Sequence, residues 1–225
     1  MAEFLFPRDG YHTTVIGTTG SGKSTLAAHL LSRAPFHFRP YFILDYKREQ
    51  IFAQCRRIVE LDVNGKLPTE PGLYIVRPVP SQIEDVENWF ERIWHMQNCG
   101  VYIDEGYLTP DKNWLRNLLC TGRSLGITVI AATQRPVDVP RFFFTEATYF
   151  SVFHLNDKKD KQRVNEYTVE GMADRPLAPF HSYWYDRAQH RATDPNPYVV
   201  LAPVPNADAI VELIDSRLRP RHQII

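Results

Sequence analysis

Three groups of residues have types and spacings suited to phosphate chemistry. Gly17-Thr18-Thr19-Gly20-Ser21-Gly22-Lys23-Ser24, followed by Thr25, matches G-x-x-x-x-G-K-[ST] in full. Glycines let a backbone take positive φ and close around phosphate oxygens. Successive N–H groups then form an anion nest, to which a helix N-terminus adds partial positive charge. Lys23 is placed for the β- and γ-phosphates of a nucleotide, and Ser24 for Mg2+. A random chain matches the pattern in roughly 1% of cases, so a Gly-rich turn with a surface lysine is the weaker reading.

The second group is Asp104-Glu105, where an apolar run stops. Ligands of open α/β sheets bind outside the carboxyl ends of strands. Asp104 there can hold Mg2+, directly or through water. Glu105 can take a proton from the water that attacks the γ-phosphate. A kinase needs no such base to hydrolyse its own ATP, so the pair favours hydrolysis. The third group, Thr133-Gln134-Arg135-Pro136, ends another apolar run. If its strand lies beside that of Asp104, Gln134 faces the γ-phosphate and can orient water or sense phosphate loss; a strand-end hydrogen bond is the plainer reading. By position alone, Arg123 is a surface arginine.

These groups need strands behind them and helices beside them. The sequence predicts strands over 13–16, 41–44, 73–76, 100–103, 127–132 and 149–155. A helix begins near Lys23 with Leu26, Leu30 and Leu31 on one face. A second is expected behind a capping box of Ser81 and Glu84, its stripe Ile83, Val86, Phe90, Ile93 and Trp94 serving as core. A third carries Trp114, Leu115, Leu118 and Leu119. Such alternation predicts an α/β domain with a mainly parallel sheet. Asp45-Tyr46-Lys47 ends the second strand and either approaches a nucleotide or closes the strand. Prolines punctuate the last third, where 181–185 and 198–201 read as short strands of an edge extension. Tyr183, Trp184 and Tyr185 either fill that extension or stack on adenine. Asn206 caps a final helix bearing Ile210, Leu213 and Ile214. The expected organisation is one domain over 1–225, with its core at about 10–155 and C-terminal strands and helix over 156–225.

Composition narrows the classes. The 225 residues hold 26 Lys+Arg against 26 Asp+Glu, which excludes a uniformly basic nucleic-acid coat protein. Hydrophobic residues at 44% and charged residues at 23% are those of a globular chain and argue against disorder. No apolar run approaches the ~18–20 residues of a membrane span. The N-terminal Met1 to Pro7 stretch does not read as a secretory signal. Cys55, Cys99 and Cys120 fit neither a disulfide framework nor a zinc site, and read as free, mostly buried thiols in a reducing cytoplasm. The eight histidines show no metal-ligand spacing, leaving Mg2+ with the nucleotide as the only expected metal.

Taken in order, three blocks resemble the HerA/FtsK superfamily: residues 12–24, Gly122-Arg123-Ser124-Leu125-Gly126-Ile127, and Ala132-Thr133-Gln134-Arg135-Pro136, with Asp104-Glu105 between. The resemblance spans about two thirds of the chain. It implies a RecA-like (ASCE) P-loop NTPase that binds ATP and Mg2+ and assembles as a ring, mostly hexameric, to pump double-stranded DNA. It matches Arg123 to an arginine donated in trans to a neighbour's ATP, and Gln134 to the sensor. The chain departs from cellular members in lacking an N-terminal barrel, membrane segments and a winged-helix DNA reader. In compactness it resembles the tectivirus-type and poxvirus-type genome-packaging ATPases. That implies packaging of a viral genome into a preformed capsid, in the host cytoplasm or at the virion's packaging vertex, with capsid vertex proteins as partners.

In such a ring the loops over 106–113 and 135–144 would face the pore. They carry Lys112, Arg135 and Arg141, and six copies could neutralise DNA phosphates without a basic monomer. Phe142, Phe143 and Phe144 read as core or subunit interface before a base-stacking platform. The cluster over 158–163 reads as a solvated helix face, and Arg217, Arg219 and Arg221 as a polar tail. The rivals are a conjugation-type pump or a filamentous-phage-assembly (Zot-like) ATPase, a small-molecule P-loop kinase, and a nucleotide-binding scaffold without turnover. A kinase needs an acceptor pocket and a lid; Asp104-Glu105 and Gln134 speak against it.

Overall fold

The computed structural model describes residues 6–109, 113–189 and 197–218. In chain order the elements are β1 (His12–Ile16), α1 (Lys23–Arg33), β2 (Pro40–Leu44), α2 (Gln50–Gln54), β3 (Val59–Leu61), β4 (Gly72–Val76), α3 (Ile83–Met96) and β5 (Gly100–Ile103). They continue with α4 (Asn113–Thr121), β6 (Thr128–Thr133), α5 (Phe142–Thr145), β7 (Ala147–Val152), α6 (Lys158–Asn165), β8 (Ser182–Asp186), β9 (Tyr198–Leu201) and α7 (Ala207–Arg217). The described strands form one sheet in the order β3-β4-β2-β5-β6-β1-β7-β8-β9. It is parallel from β3 to β7, and β8 and β9 add to the β7 edge antiparallel.

Strands covered on both faces read as continuous apolar runs, because alternate side chains enter two different cores. In β2, Tyr41 and Ile43 join one core while Phe42 and Leu44 join the other. The first core is closed by α1, α2 and α7 through Leu26, Leu30, Phe52, Ile210 and Ile214. The second is closed mainly by α3, α4 and α5 through Trp89, Phe90, Leu115, Leu118 and Phe144. This is the expected α/β fold, with a mostly parallel sheet between helical layers.

Two local expectations need correction. Ser81 and Glu84 do not form the capping box that opens α3. Pro80 starts a 3-10 turn over Pro80–Gln82, and the turn is closed by the Val79 N–H donating to Gln82 Oε1 at 3.0 Å. The strand expected over 149–155 ends at Val152. The chain beyond it, Phe153 and His154, still bonds beside the β1 end, with Phe153 N–H donating to Ile16 O at 2.8 Å.

The C-terminal extension reaches back across the molecule. Asn206 caps α7 by accepting from Ala209 N–H at 2.9 Å. At the other end of α7, Asp215 accepts the backbone N–H groups of Arg56 and Arg57, both at 3.1 Å. Through Ile210 and Ile214, α7 shares its core with α1.

Candidate nucleotide-binding site

Parallel pairing brings the carboxyl ends of β1, β6, β5 and β2 to one edge of the sheet. β6 lies between β1 and β5, with Ile16 opposite Thr133 and Ile103 opposite Ala131. Gln134 therefore emerges between the glycine loop and the acidic pair, as expected from a neighbouring strand.

The loop is pinned to the ends of β6 and β7. Gly17 N–H donates to Thr133 O at 3.2 Å and Thr18 N–H to His154 O at 3.3 Å. Gly22, at φ 104°, turns the chain into α1, a conformation that L side chains rarely adopt. Gly17 is required for a different reason: a Cβ there would lie 2.5 Å from Phe153 Cβ. Lys23 is buried, and its Nζ donates to Thr18 O at 2.9 Å. Burial lowers its pKa, against the pull of the Glu105 carboxylate. Ser24 Oγ donates to Glu49 Oε1 at 2.8 Å, and Thr25 is half-buried in the first turn of α1.

Asp104 is 1% exposed. Its Oδ1 accepts from the Tyr102 hydroxyl at 3.2 Å, while Oδ2 has no hydrogen-bond partner among the described residues. Burial, and then the charges of Glu105 and Glu49, raise its carboxyl to about 7. A buried carboxylate oxygen without a donor, beside a serine hydroxyl and further carboxylates, suits a divalent cation or its water. Glu105 takes a left-handed backbone at φ 56°. Its Oε1 forms an ion pair with Lys47, and its Oε2 accepts Gln134 N–H at 3.3 Å. The Gln134 side chain bridges the site: Oε1 accepts from Thr19 Oγ1, and Nε2 donates to the Tyr107 hydroxyl at 2.8 Å.

So the fold brings together residues 17–25, Asp104, Glu105 and Gln134. It leaves Arg123 elsewhere. Arg123 precedes β6 and lies at the amino edge of the sheet, a strand length of ~20 Å from the loop of its own chain. It is exposed, and its guanidinium sits 4.1 Å from the Tyr11 ring centroid.

Arg135 and Arg141 are exposed; Arg135 follows the carboxyl end of β6 and lies 3.7 Å from Asp138, and Arg141 directly precedes α5. Lys112, Arg219 and Arg221 lie outside the described residues. Phe142, Phe143 and Phe144 are buried, which is the core reading. Residues 158–163 lie on α6, with Lys158 and Lys159 exposed and Lys161 half-buried. Arg217 is not part of a polar tail: it closes α7 against Ser32 O and the Phe36 ring. Tyr183, Trp184 and Tyr185 fill the sheet extension, with Trp184 stacked on Tyr149 at 5.6 Å. Cys55 and Cys99 are buried and Cys120 is exposed, all three as free thiols.

Sequence reasoning missed Glu49 and Tyr107 and left Lys47 undecided between two readings. Asp45 closes the strand, accepting from Glu49 N–H and Arg77 Nε at 3.0 Å each. Lys47, two residues on, reaches the site. The signal available was the strand itself: β2 is the outer neighbour of β5, so its end must face the acidic pair.

The chain is 33% identical over 222 residues to the DNA packaging ATPase P9 of Enterobacteria phage PRD1, covering 93% of this chain and 94% of that protein. The chain belongs to the DNA packaging ATPases. No family model matches it. Solved structures resembling this packaging ATPase include the genome packaging NTPase B204 of Sulfolobus turreted icosahedral virus 2 in complex with AMPPCP. The TM-score is 0.67 at 17% identity, over 87% of this chain and 98% of that one. VirB4 of Thermoanaerobacter pseudethanolicus aligns with a TM-score of 0.64 at 10% identity, over 78% of this chain and 86% of the other. At such identities the likeness is one of fold. No described helix of the packaging ATPase is long and apolar enough to cross a membrane.

Proposed function

We propose that this packaging ATPase hydrolyses ATP at the carboxyl edge of its sheet and uses the turnover to drive double-stranded viral DNA into a preformed capsid. The observation that carries this reading is the meeting of Lys23, Ser24, Asp104, Glu105 and Gln134 from three adjacent strands, in a chain one-third identical to a DNA packaging ATPase. The glycine loop cradles the phosphates with its backbone N–H groups, and Lys23 neutralises the β- and γ-phosphates. Ser24 and Asp104 would hold Mg2+, directly or through water, and the ion would supply further neutralisation of phosphate charge. Glu105 accepts the proton of the attacking water; its ion pair with Lys47 and its bond from Gln134 N–H hold the carboxylate in place. Gln134 orients that water and reports loss of the γ-phosphate.

Arg123 acts on a neighbouring copy, stabilising charge on the transferring phosphoryl group. This requires a head-to-tail ring, and we assign it six copies. Arg135 and Arg141, with Lys112, contact DNA phosphates in the pore, so sequence preference is weak. The ring works at the capsid vertex, in the host cytoplasm, beside capsid proteins.

The test is steady-state ATP hydrolysis at low salt, with and without long double-stranded DNA. DNA should raise turnover. Glu105→Gln should keep ATP affinity while losing roughly 10²–10⁴-fold in kcat. Turnover indifferent to DNA and to this substitution would overturn the reading.

A further inference from the structure

A crevice of about 320 Å3 opens beside the glycine loop. One wall is the loop itself, from Thr18 to Ser21; the other is the segment from Leu177 to His181, with Phe153 and His154 at the base. The volume lies at the small end of the range for ligand pockets. None of the catalytic groups above lines its outer wall.

Phe180 forms that wall, and three properties set it apart. It is 59% exposed, one of the few large apolar side chains in that position. Its backbone φ is 61°, which a bulky side chain adopts rarely and at a cost. It also occupies the third position of a tight turn, closed by His181 N–H donating to Ala178 O at 3.1 Å, with Pro179 in the second. A turn with Pro second and positive φ third ordinarily takes glycine there. Here the chain holds an aromatic ring in solvent at a glycine position. Phe180 and Phe153 both overlie Gly22: the place of a Cβ there is 3.6 Å from Phe180 Cδ1 and 3.5 Å from Phe153 Cε1. The ring thus stands where the phosphate loop hands over to α1.

We propose that this crevice is the nucleobase subsite, and that Phe180 is the platform on which the adenine ring stacks. The inference rests on the phosphate-loop reading, since a nucleotide seated there must place its base beyond the α-phosphate, and this crevice adjoins the loop. A flat apolar face held out by a strained turn matches the π-face of a purine. Tyr183, Trp184 and Tyr185, three to five residues further on, are buried in the sheet and cannot offer that face.

The experiment compares the binding of ATP and of inorganic tripolyphosphate to the full chain by calorimetry. Tripolyphosphate carries the phosphates without the base. Phe180→Gly suits the turn's backbone, so its unfolding midpoint should be unchanged or raised. It should weaken ATP roughly 5- to 150-fold and leave tripolyphosphate unchanged. Phe180→Trp should keep ATP affinity within about twofold of the parent. Lys23→Ala should weaken both ligands. Equal ATP affinity in Phe180→Gly, or equal losses for both ligands, would overturn the base subsite while leaving the phosphate seat intact. Indifference of both ligands to Lys23→Ala would overturn the phosphate seat and the subsite with it.

Discussion

His12 shows how one buried residue ties the stability of this protein to pH. It opens β1 with both ring nitrogens engaged: Nδ1 accepts from Val129 N–H at 3.2 Å, and Nε2 faces Leu119 O at 3.0 Å. Both bonds are made only by the neutral ring with its proton on Nε2. Burial is the main force that lowers its pKa from 6.5 to about 4; the Leu119 carbonyl opposes it, and the charge of Arg123 adds to it. Below pH 6.5 the unfolded chain takes up a proton that the folded chain refuses, so stability falls as pH drops from 6.5 towards 4. The loss from this group is about 3 kcal/mol across that window. Urea unfolding across the same window should show that slope, and His12→Gln, less stable at neutral pH, should show a shallower one. Equal slopes would remove His12 as the cause. At this scale the sequence was most legible where chemistry dictates residue type, as at Lys23, Ser24, Asp104 and Glu105. It was least legible at Phe180, whose meaning lies in a positive φ and in a loop 160 residues away, neither of which a residue type encodes.

Elements were legible in proportion to how deeply they are buried. β2, β4, β5 and β6 are apolar runs ended by polar residues, because both faces are covered and the strand ends meet the site. β3 is a three-residue edge strand with one charged member, and α2 is a single turn or so, both too short for a periodic pattern. The polar α6 was legible as a solvated helix face carrying a basic cluster; Asp157 caps it by accepting from Lys159 and Asp160 N–H. The false capping box before α3 has the same origin as these misses, since Pro80 sets a tighter turn than the Ser-to-Glu spacing supposes. The β5 strand carries the clearest test of packing. Gly100 is the register partner of Tyr41, and a Cβ on it would lie 2.0 Å from Tyr41 Cε1. That ring is 1% exposed and is fixed by its hydroxyl, which meets Arg39 Nη2 and Asp9 Oδ1, each at 3.2 Å. Gly100→Ala should therefore cost about 1–3 kcal/mol by overpacking, a fall of roughly 2–10 °C in Tm. Calorimetric unfolding checks this. Pairing the substitution with Tyr41→Leu should cost less than the two changes summed, because they compete for one space. Strict additivity would place the strain elsewhere.

For the whole molecule, the decisive feature is that the sheet separates the two halves of the proposed catalytic apparatus. Lys23, Asp104, Glu105 and Gln134 stand at its carboxyl edge and Arg123 at its amino edge, ~20 Å apart along β6. A rigid sheet buried on both faces cannot fold to close that gap. The Tyr11 ring and hydroxyl, the latter taking Arg123 Nη2 at 2.8 Å, hold the guanidinium outward on the exposed amino edge. If Arg123 serves catalysis, it serves another copy. Two surfaces at opposite edges of one chain then meet head to tail, which generates a ring when the rotation closes. Lys23→Ala and Arg123→Ala should each abolish DNA-stimulated hydrolysis. Mixed in equal amounts before assembly, the two inactive proteins should recover activity, because an interface pairing an intact Lys23 with a neighbour's intact Arg123 is complete. Random assembly makes about one interface in four complete. A mixture as inactive as its components, at subunit ratios verified in the assembled particle, would confine Arg123 to its own chain. The ring would then have to draw its second half-site from some other residue on the amino edge.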